Sequence, residues 1–142
     1  SYLPILKGEK QTGRDVVFTQ FNLTSMNRSY PMRCVQSKDF GYIFNAWSDG
    51  KTLYTSESKT GLTYKAMRNA LDKRITDRAD FYDYRCKEEF YDFKKDPDGL
   101  NNLIDNPEYA EHIEEYKRKL LDYMIDTSDP VLEAFQKENK RM

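Results

Sequence analysis

This sequence predicts an α+β fold in which a small antiparallel β-sheet buries one face under C-terminal helices. Three features lead there. Short runs of β-branched and aromatic residues occupy positions 15–45, apolar residues recur every three or four positions from 62 and again from 109, and one more aromatic run lies between those stretches. At 142 residues the chain is the size of one domain with one core. An aromatic share of 14% is too high for a disordered chain, even though 33% of the residues are charged.

Ser1 to Gly13 (SYLPILKGEKQTG) has no helix or strand period and is expected to be a connector, leaving 14–142 as the folded unit. Asp15 to Phe21 (DVVFTQF) reads as a strand, and Asn22 to Tyr30 (NLTSMNRSY) as a polar loop closed by Pro31. MRCVQ and FGYIFN, separated by SKD, form a hairpin pattern; WSDG is then a turn and SESKTG a polar loop. Leu62, Ala66, Ala70 and Leu71 predict one helix, capped by Thr63 and ending near Arg78. Tyr84 to Phe93 (YRCKEEFYDF) suits a half-buried strand, stopped by the turn KKDPDG at Lys94 to Gly99. Asn106 and Pro107 supply a cap and a first turn, and Tyr109, Ile113, Tyr116, Leu120 and Tyr123 form one apolar stripe on a helix that ends near Asp126. Ser128, Asp129 and Pro130 repeat that grammar, Leu132 and Phe135 give a short apolar face, and the charged end KENKRM is expected to fray.

The 23 basic and 24 acidic residues nearly cancel, which removes the broad positive field that nucleic acid needs, so no nucleic-acid partner is expected. No apolar run approaches the roughly 20 residues that cross a bilayer, so a soluble chain without a membrane partner is expected. Cys34 and Cys86 form no CxxC pair; they admit one disulfide or two separate buried thiols, and argue against a metal cage. His112 lies in EHIEE with no second ligand at metal spacing on its helix, and reads as a surface or boundary residue. Asp96, Asp98 and Gly99 lack the acidic positions of a calcium loop and read as a turn that bonds its own backbone. No Ser/His or Cys/His arrangement and no glycine-rich phosphate loop is present, so the residues offer no catalytic group and no metal site.

Four stretches carry a resemblance. SYLPILKGE (1–9), RDVVFTQFN (14–22), YPMRCVQSKDFGYIFN (30–45) and EEFYDFKKDPDGLNNLIDNPEY (88–109) resemble, in that order, the C-terminal part of bacterial sulfatases of the alkaline-phosphatase-like superfamily. YPMR and DPVLEAF (Asp129 to Phe135) are most similar to the N-sulfoglucosamine sulfohydrolase, or heparan N-sulfatase, branch. The resemblance implies a parent enzyme, exported to the periplasm or secreted, that hydrolyses sulfate or N-sulfate groups of glycosaminoglycan-type sugars with a bound calcium and a formylglycine made within C/S-x-P-S-R. Neither Cys34, followed by Val and Gln, nor Cys86, followed by Lys and Glu, matches that motif, so no cofactor is expected on this chain and it is expected to be inactive alone.

The implied partners are the protein's own catalytic domain and a sulfated carbohydrate. The segment 22–30 is the expected wall of the sugar cleft, with Arg28 pairing a sulfate or carboxylate through its planar fork and Gln20 and Asn22 bonding hydroxyls. Two N-glycosylation sequons, at Asn22 and Asn27, fall in the same stretch. Two other readings remain: a stand-alone carbohydrate-binding module that stacks sugars on Trp47 and tyrosines, and an interaction domain with an exposed apolar face.

Overall fold

The computed structural model describes residues 3–10 and 12–139. Strands β1 (Val16–Leu23), β2 (Ser29–Ser37), β3 (Phe40–Asn45) and β4 (Glu88–Asp92) form one antiparallel sheet in the order β1-β2-β3-β4. Phe18 pairs in register with Val35, Val35 with Tyr42, and Tyr42 with Phe90, so alternation sends these four residues to one face. Helix α4 (Ala110–Asp126) lays Ile113, Tyr116, Leu120 and Met124 against that face, and α5 (Leu132–Asn139) adds Phe135. The positions are three and four apart, as one stripe of a helix requires. Each such side chain contributes roughly 1.5–3 kcal/mol by leaving water.

The entry to α4 is local. The Asn106 side chain accepts the Glu108 N–H at 3.0 Å, and Pro107 opens a 3-10 turn, Pro107–Tyr109, that leads into the helix. Gly41 within β3 lets the Phe93 ring lie close over the strand, since a Cβ there would stand 2.9 Å from that ring and push it aside.

The strands, hairpin and final helices stand where the sequence predicts, and the α+β class is borne out. Six details differ. Leu3–Leu6 form a helical turn, α1, inside the segment expected to lack structure; Ser1, Tyr2 and Gln11 of that connector lie outside the described residues. β1 runs on to Leu23, which reduces the expected loop 22–30 to a turn at 24–28, and Pro31 lies within β2 instead of closing a loop. A proline has no N–H for the ladder, and Pro31 stands where the β1–β2 register shifts between Phe21 and Leu23.

The single helix expected from 62 to 78 is two, α2 (Leu62–Arg68) and α3 (Lys73–Tyr84). Asp72 breaks it by accepting the Arg74 N–H as an N-cap, while Gly61, not Thr63, precedes α2. The supposed core leucines are outside, Leu62 at 84% and Leu71 at 105% exposure. Because α3 continues to Tyr84 and ends at Arg85 with φ 36°, β4 starts only at Glu88. A 3-10 turn, Glu57–Thr60, occupies the loop at 56–61. The charged end expected to fray is helical through Asn139, and 140–142 lie outside the described residues.

Candidate functional site

The edge strand β1 holds two of the three residues expected to meet a sugar. Gln20 is exposed and pairs in register with Arg33 of β2; Asn22, exposed and at the register shift, reaches the same Arg33 with its side chain. Arg33 itself is 1% exposed. Its Nε donates to Asp129 Oδ2 at 2.6 Å, Nη2 to Asp129 Oδ1 at 3.0 Å, and Nη1 to Asn22 Oδ1 at 2.9 Å and to the Met32 carbonyl at 2.8 Å. This fork ties the end of β1 to the start of α5, where Asp129 also accepts the Val131 N–H at 2.8 Å. Burial would raise the Asp129 pKa, but the Arg33 hydrogen bonds, the Val131 N–H and the Arg33 charge outweigh it and hold the carboxyl below its ordinary value.

Asn22 is thus oriented by a buried cation beneath it. The turn beyond is closed by the Thr24 N–H on the Arg28 carbonyl at 3.0 Å and the Arg28 N–H on Thr24 Oγ1 at 3.2 Å, and Ser25 hydrogen-bonds Glu57. Arg28 leaves this turn exposed. Among the described residues no hydrogen bond joins Gln20, Asn22 and Arg28, so the structure brings Gln20 and Asn22 to one strand and sets Arg28 in the turn after it.

The opposite face of the sheet holds polar centres of its own. Glu89 of β4 is fully buried and accepts Arg85 Nε and Nη2 at 2.9 Å each, the Tyr91 hydroxyl at 2.6 Å and Asn45 Nδ2 at 2.6 Å. Burial and then the Glu89 charge push the Cys86 thiol up to about 11, which leaves it protonated and unreactive. Asp83 on α3 is likewise buried and takes Lys59 Nζ at 2.7 Å and the Tyr64 hydroxyl at 2.9 Å.

Sequence reasoning missed Arg33, Glu89 and Asp83. A usable signal exists for the first two: a charge inside a run that otherwise reads as a buried strand, as in MRCV or EEFYD, must have a partner.

Other readings fall as follows. Trp47 packs against Tyr30 at 4.9 Å and Tyr54 at 5.7 Å between ring centroids, so its ring is engaged inside an aromatic cluster. His112 stacks on Phe40 at 4.6 Å and is half-exposed, a boundary residue as expected. Asp96 accepts the Leu100 and Asn101 N–H groups at 2.7 Å each, so the turn bonds its own backbone as the sequence predicts. Cys34 and Cys86 are both free. Among the described residues no three His, Cys, Asp or Glu side chains stand together as a metal cage, and no helix is long and apolar enough to cross a membrane. Among the described residues no group of acidic, His or Cys side chains fits a calcium ion, and the sequence contains no C/S-x-P-S-R motif.

No family model matches the chain. It is 27% identical over 135 residues to the human (Homo sapiens) N-sulphoglucosamine sulphohydrolase, a match covering 92% of this chain and 26% of that protein. Among solved structures, a candidate sulfatase of Bacteroides thetaiotaomicron VPI-5482 superposes with a TM-score of 0.55 at 23% identity, over 91% of this chain and 20% of the other. A protein solved with its substrate D-glucosamine-2-N,6-O-disulfate gives 0.54 at 17% identity, over 92% and 20%. The phosphonate monoester hydrolase of Agrobacterium radiobacter also gives 0.54 at 17%, over 89% and 20%. The chain therefore spans about a quarter of the curated relative and a fifth of the solved chains. At these identities the structures establish a shared fold, and the curated match adds likeness in sequence along nearly the whole chain. The resemblance carried by the four sequence stretches is borne out: the chain is similar to a sulfohydrolase and has a fold found in sulfatases and related hydrolases, consistent with a sulfatase C-terminal subdomain.

Proposed function

We propose that this chain is the C-terminal accessory part of a sulfatase or sulfamidase that removes sulfate or N-sulfate groups from glycosaminoglycan-type sugars, with 1–13 as the connector from the catalytic domain. The observation that carries the reading is likeness to a sulphoglucosamine sulphohydrolase along 92% of the chain, although the chain matches only 26% of that protein. On this reading the reacting groups, the calcium and the formylglycine belong to the rest of an exported protein.

An exposed apolar band supports the catalytic domain as partner. Val17 and Phe21, on one side of β1, are 57% and 39% exposed, and Leu23 and Met26 at its end are 54% and 51% exposed. In this proposal the end of β1 and its turn form one wall of the sugar cleft. The buried Arg33 fixes Asn22, Gln20 and Asn22 bond hydroxyls, and Arg28 meets a sulfate.

The test is an assay of the full-length protein on N-sulfated glucosamine. Arg28→Ala there is expected to raise KM by about tenfold with little change in kcat, as the loss of one charged hydrogen-bonding group from ground and transition state alike predicts. The 142-residue chain alone is expected to give no turnover. Turnover by this chain alone, or a full-length sequence without C/S-x-P-S-R, would overturn the proposal.

A further inference from the structure

We propose that the cleft between α3 and the second face of the sheet is a binding site for a small ring-bearing oxyanion, anchored by Arg78. The cleft has a volume of about 220 Å³ and is walled by Ile43, Phe81, Tyr91 and Phe93, with Arg78 and Arg85 at its polar side. Two neighbouring clefts, of about 250 Å³ each, also reach Arg78, which makes this guanidinium the point where the three meet.

Charge separates the two arginines. Arg85 is committed to Glu89 through both its Nε and its Nη2, so that pair is neutral. Arg78 is half-buried, rests over the Phe81 ring at 5.5 Å, and reaches the Gly99 carbonyl only at 3.4 Å. Among the described residues it has no carboxylate partner, although Arg68, Arg74 and Arg85 on the same side of the molecule all have one. The remaining acids of α3 are taken elsewhere: Asp77 by Lys73, Asp80 by Arg68, and Asp83 by Lys59. The cleft thus carries one uncompensated positive charge between aromatic walls.

A half-desolvated guanidinium with free donors favours an oxyanion over water alone, and ring faces beside it favour a flat or cyclic body on that anion. The chemical class that meets both demands is a monosaccharide bearing a sulfate or carboxylate. This site lies across the sheet from the Asn22–Arg33 corner, and binding there involves no bond breaking, so the inference stands whether or not the hydrolase reading does.

The experiment titrates the 15N-labelled chain with glucosamine N-sulfate, with glucose as the neutral ring, and with inorganic sulfate as the bare anion. The expected result is amide shift changes concentrated at Arg78, Phe81 and Gly99 with the sulfated sugar, weaker changes with sulfate, and none with glucose. Arg78→Gln should weaken binding by about tenfold or more, as loss of charged hydrogen bonds predicts. Arg74→Gln, which removes an exposed neighbour paired to Asp72, should leave binding unchanged. If Arg78→Gln does not fold, Arg78→Lys keeps the charge and stem and should still weaken binding through loss of the fork. Unchanged affinity in both Arg78 variants, shifts that map to Arg28 instead, or glucose and inorganic sulfate binding as well as the sulfated sugar would each overturn the assignment.

Discussion

The two faces of this sheet solve the burial problem in different ways. On the face under α4 and α5, a continuous set of apolar groups (Val35, Tyr42, Phe44, Phe90, Leu120, Met124 and Phe135) is closed to water, and the buried charges admitted there are partnered, Arg33 by Asp129 and Asp92 by the Tyr109 hydroxyl. On the other face, α2 and α3 are held through charges: Arg85 on Glu89, and Lys59 and Tyr64 on Asp83, with a separate ring cluster of Tyr30, Trp47, Tyr54 and Tyr82. Dispersion and transfer from water scale with area and tolerate no gaps, whereas directed polar contacts hold elements together across open space. The first face therefore carries most of the apolar core, and the second carries the cleft around Arg78 and the exposed band at Val17 and Phe21.

The sharpest way to break this contrast is to strip the charge pair from the closed face. Asp129→Ala leaves Arg33 buried without its partner and should cost about 3–5 kcal/mol, read as a lowered urea midpoint. Replacing both, Arg33→Met with Asp129→Leu, should recover most of that loss, because two apolar groups need no partner. A double variant as unstable as the single one would mean that the pair is needed for its geometry. Next in size is Leu120→Ala, which opens a cavity at a fully buried position and should cost about 2–5 kcal/mol in the same assay.

What the sequence disclosed follows the same division. The α4 stripe was legible because five residues repeat at one period behind an Asn-Pro cap, and hairpin β2–β3 because its two runs alternate around a short polar turn. The α2–α3 side departs from the pattern because Leu62, Ala66 and Leu71 stand at helical spacing yet are exposed, and the real attachments are Tyr64, Asp83 and Arg85. Hydrophobic period cannot reveal an element held by polar contacts. The candidate wall was half legible: composition marked 22–30 as polar, but Asn22 belongs to the strand because Arg33, buried one strand away, holds its side chain. That is a contact between residues eleven positions apart, which local pattern does not encode.

Acid should sharpen the contrast further. Asp129 and Asp92 both sit below their ordinary values although burial alone would raise them, Asp92 because the Tyr109 hydroxyl and the Lys95 and Lys94 N–H groups bond it. A carboxyl with a depressed native pKa contributes stability that is complete above its unfolded value, near 3.9, and is lost as pH falls through the native value. The urea midpoint is therefore expected to hold from neutral pH down to about pH 4 and then to fall. Asp129→Asn should show a shallower fall; an identical slope would remove Asp129 from the account.

The smallest expected effect discriminates best between the two faces. Leu71→Lys and Leu62→Lys place charges where the helical period suggested core, yet both side chains are open to water, so each should change the stability of this chain by no more than about 0.5 kcal/mol. If the proposed catalytic domain covers this side, the same substitutions made in the full-length protein would bury a charge at the domain interface and lower its stability. Silence in the short chain together with damage in the long one would identify these leucines as interface residues. Silence in both would confine the docking surface to the band around Val17 and Phe21.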